Sequence, residues 1–241
     1  MTFQANLFFG KTAIVTGGTT GIGAGTALML AQLGARVLAL GFDAHKLHVP
    51  AGLDLRALEV DVTDAAAIEA AISEVDRLDI LVNCAGIIRR GEEHEIDVFE
   101  KVIDVNLNGT FRCCRLARAK LAEQGGVIIN TASMLSYFGG GVVPAYCASK
   151  GGVMQLTKSL AIAYAVDGIR VNAVAPGWIA TPLTEALQED PQRADPILNR
   201  TPLGRWGLPK DIAQAIVFLC SPAASFITGT ILPVDGGYLV A

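Results

Sequence analysis

Tyr146 and Lys150 stand four residues apart in the stretch 145–166, whose period predicts a helix, so the phenol and the ammonium share one face, a turn apart. Such a pair suggests proton transfer. A free phenol ionises near pH ~10, and accepting a proton near neutrality requires lowering that value by roughly 2 to 3 units, about 3 to 4 kcal/mol of differential stabilisation. A neighbouring ammonium has the right sign to supply it. Taken alone, the spacing equally describes a packed tyrosine beside a solvated lysine. Ser133 ends a β-rich run, where its hydroxyl could donate to a reacting oxygen. Ser136 is its near competitor and is read as lining the pocket. Asn106, in the helical stretch Val105-Asn106-Leu107-Asn108, is a further polar candidate, with Asn108 as a plain surface residue.

A second constellation is glycine-rich. Thr16-Gly17-Gly18-Thr19-Thr20-Gly21-Ile22-Gly23 joins the first β-rich run to the first helical stretch. Glycines there permit a tight turn and let backbone N–H groups approach a pyrophosphate, which a helix N-terminus also attracts. An ordinary loop of the same composition is the alternative, and the position between strand and helix argues against it.

Both constellations need a scaffold. β-rich runs at 12–16, 36–40, 57–60, 80–83, 127–130, 170–175 and 230–234 alternate with helical stretches at 23–33, 65–75, 97–122, 145–166 and 210–219. Thr63 and Asp64 are placed to cap the second helix. The alternation predicts an α/β chain with a Rossmann-type, doubly wound, parallel seven-stranded sheet and helices on both faces, as a single domain over 1–241. In the link 41–55, Pro50 and Gly52 interrupt any long helix, so that crossover is expected to be vestigial. The segment 178–209 carries five prolines and no strong period. It is read as a largely irregular substrate lid over the carboxyl edge of the sheet.

Composition narrows the function classes. Only 17% of the 241 residues are charged and the net charge is −4, with no long basic run, so nucleic acid is not an expected partner. The five cysteines suit reduced, mostly buried thiols rather than a disulfide scaffold or a zinc ribbon. His45, His48 and His94 form no ligand set, and no metal is expected. Neither an export signal nor an apolar run of membrane-spanning length is visible, which predicts a cytoplasmic location and no membrane partner. The apolar face of 152–166 predicts self-association.

The glycine spacing, together with Asp61-Val62, Asn83-Cys84-Ala85-Gly86, Asn106, Ser133, Tyr146-Cys147-Ala148-Ser149-Lys150, Pro176-Gly177 and Asp235-Gly236-Gly237, resembles the short-chain dehydrogenase/reductase family along nearly the whole chain. The resemblance implies an NAD(P)-dependent oxidoreductase that interconverts a secondary alcohol and a ketone, commonly as a homotetramer or homodimer. By the same resemblance Asn106, Ser133, Tyr146 and Lys150 are the catalytic set. Ser133 and Tyr146 would hold the substrate, Asn106 a water linking Lys150 to solvent, and Lys150 also the nicotinamide ribose.

Cofactor contacts are expected from Thr16, Gly17, Gly21, Ile22 and Gly23 at the turn, from Asp61 and Val62 beside the adenine, from Asn83, Ala85 and Gly86 beside its ribose, and from Pro176, Gly177, Ile179 and Thr181 at the nicotinamide. Cys84 stands where the family usually has a second asparagine. Gly41 ends the second strand where NAD users often carry an acid, and Asp43 either reaches the ribose or caps a helix; NAD is favoured over NADP. Ile87-Ile88-Arg89-Arg90, Ala132-Ser133-Met134-Leu135-Ser136 and Gly204-Arg205-Trp206-Gly207 resemble bacterial gluconate-type sugar-acid dehydrogenases. Arg89, Arg90 or Arg205 could clamp a carboxylate or be a surface arginine. Reductases of 3-oxoacyl thioesters or hydroxysteroids are the competing substrate classes, and a catalytically silent dinucleotide sensor is the competitor from another class.

Overall fold

Every residue of β1 (Thr12–Thr16) is buried, Ala13 and Val15 packing to one side and Ile14 to the other, as a strand covered on both faces requires. In the computed structural model, which describes residues 2–241, β1 is central to a parallel sheet. β2 (Arg36–Gly41) and β3 (Leu55–Glu59) lie on one side of it; β4 (Ile80–Asn83), β5 (Val127–Thr131), β6 (Arg170–Pro176) and β7 (Ile231–Val234) lie on the other. The seven strands run in the order β3-β2-β1-β4-β5-β6-β7. The direction of winding reverses between β1 and β4, and open α/β sheets bind ligands in the crevice beyond such a reversal.

Two apolar layers flank the sheet. Leu30 and Ala27 of α1 (Gly21–Gln32) and Ile212 and Ile216 of α8 (Pro209–Cys220) cover one face. The other is covered by Ile68 of α2 (Ala65–Ser73), Cys113 and Leu121 of α4 (Gly109–Ala122) and Leu160 of α5 (Pro144–Tyr164). Asp64, not Thr63, caps α2, accepting from the N–H groups of Ala66 and Ala67 at 2.9 and 3.1 Å. Beneath β1, buried Asp79 accepts from Lys11, Arg77 and the Thr12 N–H. Among the described residues, no helix is long and apolar enough to cross a membrane.

Three elements differ from the sequence expectation. β3 begins at Leu55, because pairing with Val37 to Gly41 extends it through exposed Arg56, which no apolar pattern signals. The long helix expected over 97–122 is divided into α3 (Ile96–Ile103), a π turn at Asp104–Asn108 and α4. The lid is not largely irregular: it holds α6 (Glu185–Gln188) and α7 (Pro191–Arg200). Its prolines misled because Pro182, Pro191 and Pro209 sit at helix starts, where a missing N–H costs nothing. Asp190 caps α7 through the Gln192 N–H at 3.0 Å, and α7 tolerates Pro196 inside it. The link 41–55 holds a single short 3₁₀ turn, Ala44–Lys46, as its proline and glycine imply.

Candidate active site

The glycine turn leads from β1 into α1. Gly17 adopts φ +61°, in the left-handed region, and a Cβ on Gly23 would lie 2.0 Å from the Gly17 carbonyl oxygen, so no side chain fits there. Thr20 makes no side-chain cap, and the first turn of α1 carries no acid, which leaves its N–H groups open to an anion. These features fit a dinucleotide pyrophosphate. Gly17, Gly21, Ile22 and Gly23 line this cleft with Cys84, Ala85 and Gly86, the residues that follow β4.

Ser133 follows β5 in extended conformation, buried, with its hydroxyl accepting from the Leu135 N–H at 3.1 Å. Ser136 does not line the pocket as expected. Its hydroxyl donates to the Lys150 carbonyl at 2.7 Å and accepts from the Ser133 N–H at 3.2 Å, so it ties the β5 loop to α5. Tyr146 and Lys150 lie in the first two turns of α5, with the Lys150 ammonium 5.6 Å from the centre of the phenol ring. Lys150 is 4% exposed and donates to the Thr131 carbonyl at 2.7 Å. Burial pushes its pKa down to about 8.

The phenol is not acidic in this geometry. Tyr146 as a residue is half-buried, but enclosure of its phenol pushes the pKa above the ordinary value; Ser133 and the charge of Arg90 pull the other way, and Cys147 and Glu93 add to the rise. The expectation that an ammonium, together with a nicotinamide cation, acidifies the phenol omitted this desolvation, which weakens the ammonium's own hold on its proton as well.

Buried amides and a buried carboxylate hold the set together. Asn106, fully buried on the π turn, accepts from the Ile87 N–H at 2.8 Å and donates to the Ile87 carbonyl at 2.9 Å and to Ser149 at 3.1 Å. It thereby clasps the loop after β4 to α5. A Cβ built on Gly86 would lie 3.2 Å from Asn106 Oδ1 and 3.6 Å from Lys150 Nζ, so both groups face one small space. The exposed Asn108 side chain donates to Asp104 Oδ1 at 3.1 Å. Sequence reasoning missed Glu93. With no exposure at all, its two oxygens accept from the Arg89 and Tyr146 N–H groups at 2.8 Å each, joining that same loop to the first turn of α5. One acid among Glu92, Glu93, Glu95 and Asp97 gave no signal of this.

Two expected cofactor contacts, Asn83 and Thr16, face elsewhere. Asn83 points inward and donates to Asn130 at 2.9 Å; Asn130 continues the chain to Thr157 at 3.0 Å. The Thr16 hydroxyl turns to Asn83 and the Ala85 N–H, tying β1 to β4. The Asp61 carboxylate accepts from the Thr63 N–H at 2.8 Å, and buried Val62 packs beside Gly109. A strand terminus is readable from sequence, but the direction of its side chains depends on register. Cys84 accepts from the Thr131 hydroxyl at 3.4 Å, and burial raises its thiol to about 11. Asp43, at φ 54°, pairs with Lys46 at 3.1 Å, and its N–H donates to Glu59.

A cavity of about 320 Å³ opens beyond the carboxyl ends of β5 and β6 and is lined by Ser133, Tyr146, Pro176, Gly177 and Ile179, with lid residues on its far side. Ile22, Thr181 and Leu183 line both this cavity and the glycine cleft, so the two are stretches of one groove. The Trp178 indole N–H is buried at the cavity without an acceptor.

A family model described as enoyl-(acyl carrier protein) reductase matches residues 17–239. The 2-dehydro-3-deoxy-D-gluconate 5-dehydrogenase of Pseudoalteromonas atlantica is 45% identical over 244 residues, covering 95% of this chain and 96% of that protein. The chain belongs to the short-chain dehydrogenase/reductase family. This dehydrogenase is accordingly an NAD(P)-dependent enzyme that acts on CH–OH groups, interconverting an alcohol and a carbonyl. It shares 36% identity and a TM-score of 0.91 with a gluconate 5-dehydrogenase of Burkholderia cenocepacia solved with NADP and tartrate, each chain 97% covered. A 3-oxoacyl-[acyl-carrier-protein] reductase of Thermotoga maritima is 38% identical over 96% of this dehydrogenase and 98% of its own length.

Proposed function

We propose that the dehydrogenase oxidises or forms the secondary alcohol of a sugar acid, with Ser133, Tyr146 and Lys150 as catalytic residues and Asn106 as their support. The observation that carries the reading is the continuous groove, which leads from the glycine cleft to the Ser133 and Tyr146 hydroxyls. Bound there, the nicotinamide dinucleotide supplies the hydride acceptor in oxidation, with a positive charge beside the phenol, and the hydride donor in reduction. Gly17, Gly21, Ile22 and Gly23 hold its pyrophosphate, and Pro176, Gly177, Ile179 and Thr181 enclose the nicotinamide end. Asp61 and Val62 flank the adenine; Ala85 and Gly86 lie beside its ribose.

In oxidation Ser133 donates to the substrate oxygen while Tyr146 takes its proton, and in reduction the same phenol returns it. Lys150 holds the ribose and, through the space over Gly86 shared with Asn106, passes the proton to a water. Segment 178–209 is the lid that excludes solvent from the reacting carbon.

Support for sugar acids comes from the relatives acting on gluconate-type compounds. The apolar wall of Leu135, Phe138, Val142 and Leu187, with the acyl-carrier-protein reductase relative, favours a 3-oxoacyl thioester as the second reading. Asp43 near the end of β2 supports NAD, whereas its partner Lys46 is the adjacent cation that could meet a 2′-phosphate, and two similar structures hold NADP. Turnover with NAD and with NADP against sugar acids, polyols, hydroxysteroids and 3-hydroxyacyl esters tests all three assignments. The reading requires sugar acids to give the highest kcat/KM; a thioester leading the panel would replace it.

Exposed Ile162 on α5 and Val166 on the 3₁₀ turn that follows it, with Phe111 on α4, support assembly as a homodimer or homotetramer. A monomer in sedimentation would exclude the assembly.

A further inference from the structure

The charged residues among those lining the catalytic cavity are Arg90 and Arg193; Glu93, whose charge reaches Arg90, spends its two oxygens on the Arg89 and Tyr146 N–H groups. Arg90 is half-buried on the loop after β4, and Arg193 is exposed on α7 of the lid. Among the described residues neither forms an ion pair, whereas Arg205 is paired with Asp211 at 2.7 Å and Arg89 turns its guanidinium to the Ile88 carbonyl. The only hydrogen bond from the Arg90 guanidinium among the described residues is a long one, 3.3 Å, to the Leu183 carbonyl in the lid. Partial burial lowers the pKa of Arg90 first of all, and the nearby charge of Arg193 lowers it further, while the Tyr146 phenol acts on it from the other side. An unpaired guanidinium half-buried beside an apolar wall, as Arg90 is, is costly unless an anion meets it, and exposed Arg193 adds a second positive charge at the same place.

We propose that Arg90 and Arg193 form a carboxylate clamp, one jaw on the loop that Glu93 fixes to α5 and the other on the lid, which holds the acid group of the substrate and sets which hydroxyl reaches Tyr146. The clamp rests on the reading of the site as a sugar-acid dehydrogenase, and it resolves the ambiguity among Arg89, Arg90 and Arg205 in favour of Arg90. A planar, forked guanidinium suits a carboxylate better than a point charge does. Because one jaw belongs to α7, binding of the acid also ties the lid to the body of the enzyme.

The test uses the intact enzyme with its cofactor, comparing a polyhydroxy acid with its primary amide for the wild type, Arg90→Gln and Arg193→Gln. Either substitution is expected to lower the acid-to-amide ratio of kcat/KM by about 10- to 100-fold, the size of a lost charged hydrogen bond, with the cofactor KM unchanged. Tartrate binding, followed by fluorescence of Trp178 and Trp206, is expected to weaken in parallel, since Trp178 lines the cavity and stacks edge-on with Trp206. A parallel loss on acid and amide, no loss on either, or a rise in cofactor KM in place of lost selectivity would overturn the clamp. If the wild type prefers acyl thioesters, the functional reading fails instead, and tartrate affinity, which needs no turnover, still decides whether the arginines bind a carboxylate.

Discussion

Lys150 makes this fold less stable at neutral pH than it is in mildly alkaline solution. The side chain is 4% exposed and, among the described residues, has no carboxylate partner in compensation, and burial pushes its pKa down to about 8 from the ordinary 10.5. At about 1.4 kcal/mol per pH unit, holding the proton in the folded state near neutrality costs roughly 3 kcal/mol. The unfolded chain keeps that proton up to its ordinary pKa, so between these two values it binds more protons than the folded chain, and stability from this group rises with pH. Roughly 2 kcal/mol of the cost is recovered between about pH 7 and about pH 9.5. Cysteine and tyrosine titrations act in the same range, and comparison with Lys150→Met largely cancels them. Urea unfolding of both proteins at one protein concentration, at these two pH values, should show the wild type gaining about 2 kcal/mol on the variant. A stability difference that does not change with pH would refute the reasoning, because it would mean that the ammonium titrates as a solvated lysine.

Glu93→Gln removes a negative charge that raises the Tyr146 pKa, so the acidic limb of the kcat/KM profile for alcohol oxidation should move to lower pH; an unmoved limb would assign Glu93 a packing role alone. Gly23→Ala places a methyl 2.0 Å from the Gly17 carbonyl oxygen and should weaken cofactor binding by more than about tenfold in fluorescence titration, the turn having to open to admit it. At the opposite edge of the sheet, burial raises the Asp79 pKa, but Arg77, the Thr12 N–H and Lys11 outweigh that and hold it below its ordinary value. Its contribution is present above the ordinary carboxylate pKa and is lost as pH falls through the depressed one. Asp79→Asn should therefore cost about 1 to 2 kcal/mol near neutrality, measured by urea unfolding, and less in acid.

The strands were legible because each is a short β-rich run between breakers, and the middle of a strand buried on both faces is mostly apolar, as Ala13 to Val15 show. The lid was not legible, because proline marks a helix start and a loop alike, and only the cap at Asp190 separates them. The π turn is set by what Asn106 reaches across the chain, namely Ile87 and Ser149, and local propensity carries no trace of that. At the site, the spacing of Tyr146 and Lys150 on α5 brought the phenol and the ammonium together as expected. What remained hidden was the direction of polar side chains at strand ends. Asn83 and Thr16 spend their hydrogen bonds inside the sheet, and Ser136 between loop and helix. The effect of burial on charge was equally invisible, since it depends on how completely the surrounding elements close over a group.

Tyr146→Phe tests the central claim most directly, with kcat for alcohol oxidation measured beside the dissociation constant of the cofactor on the same preparation. Removing the one oxygen that exchanges the proton should lower kcat by about 10²- to 10⁴-fold and leave cofactor affinity within about twofold of the wild type. A variant that keeps its cofactor and still turns over at more than about a tenth of the wild-type rate would contradict the account, because another group would then be carrying the proton.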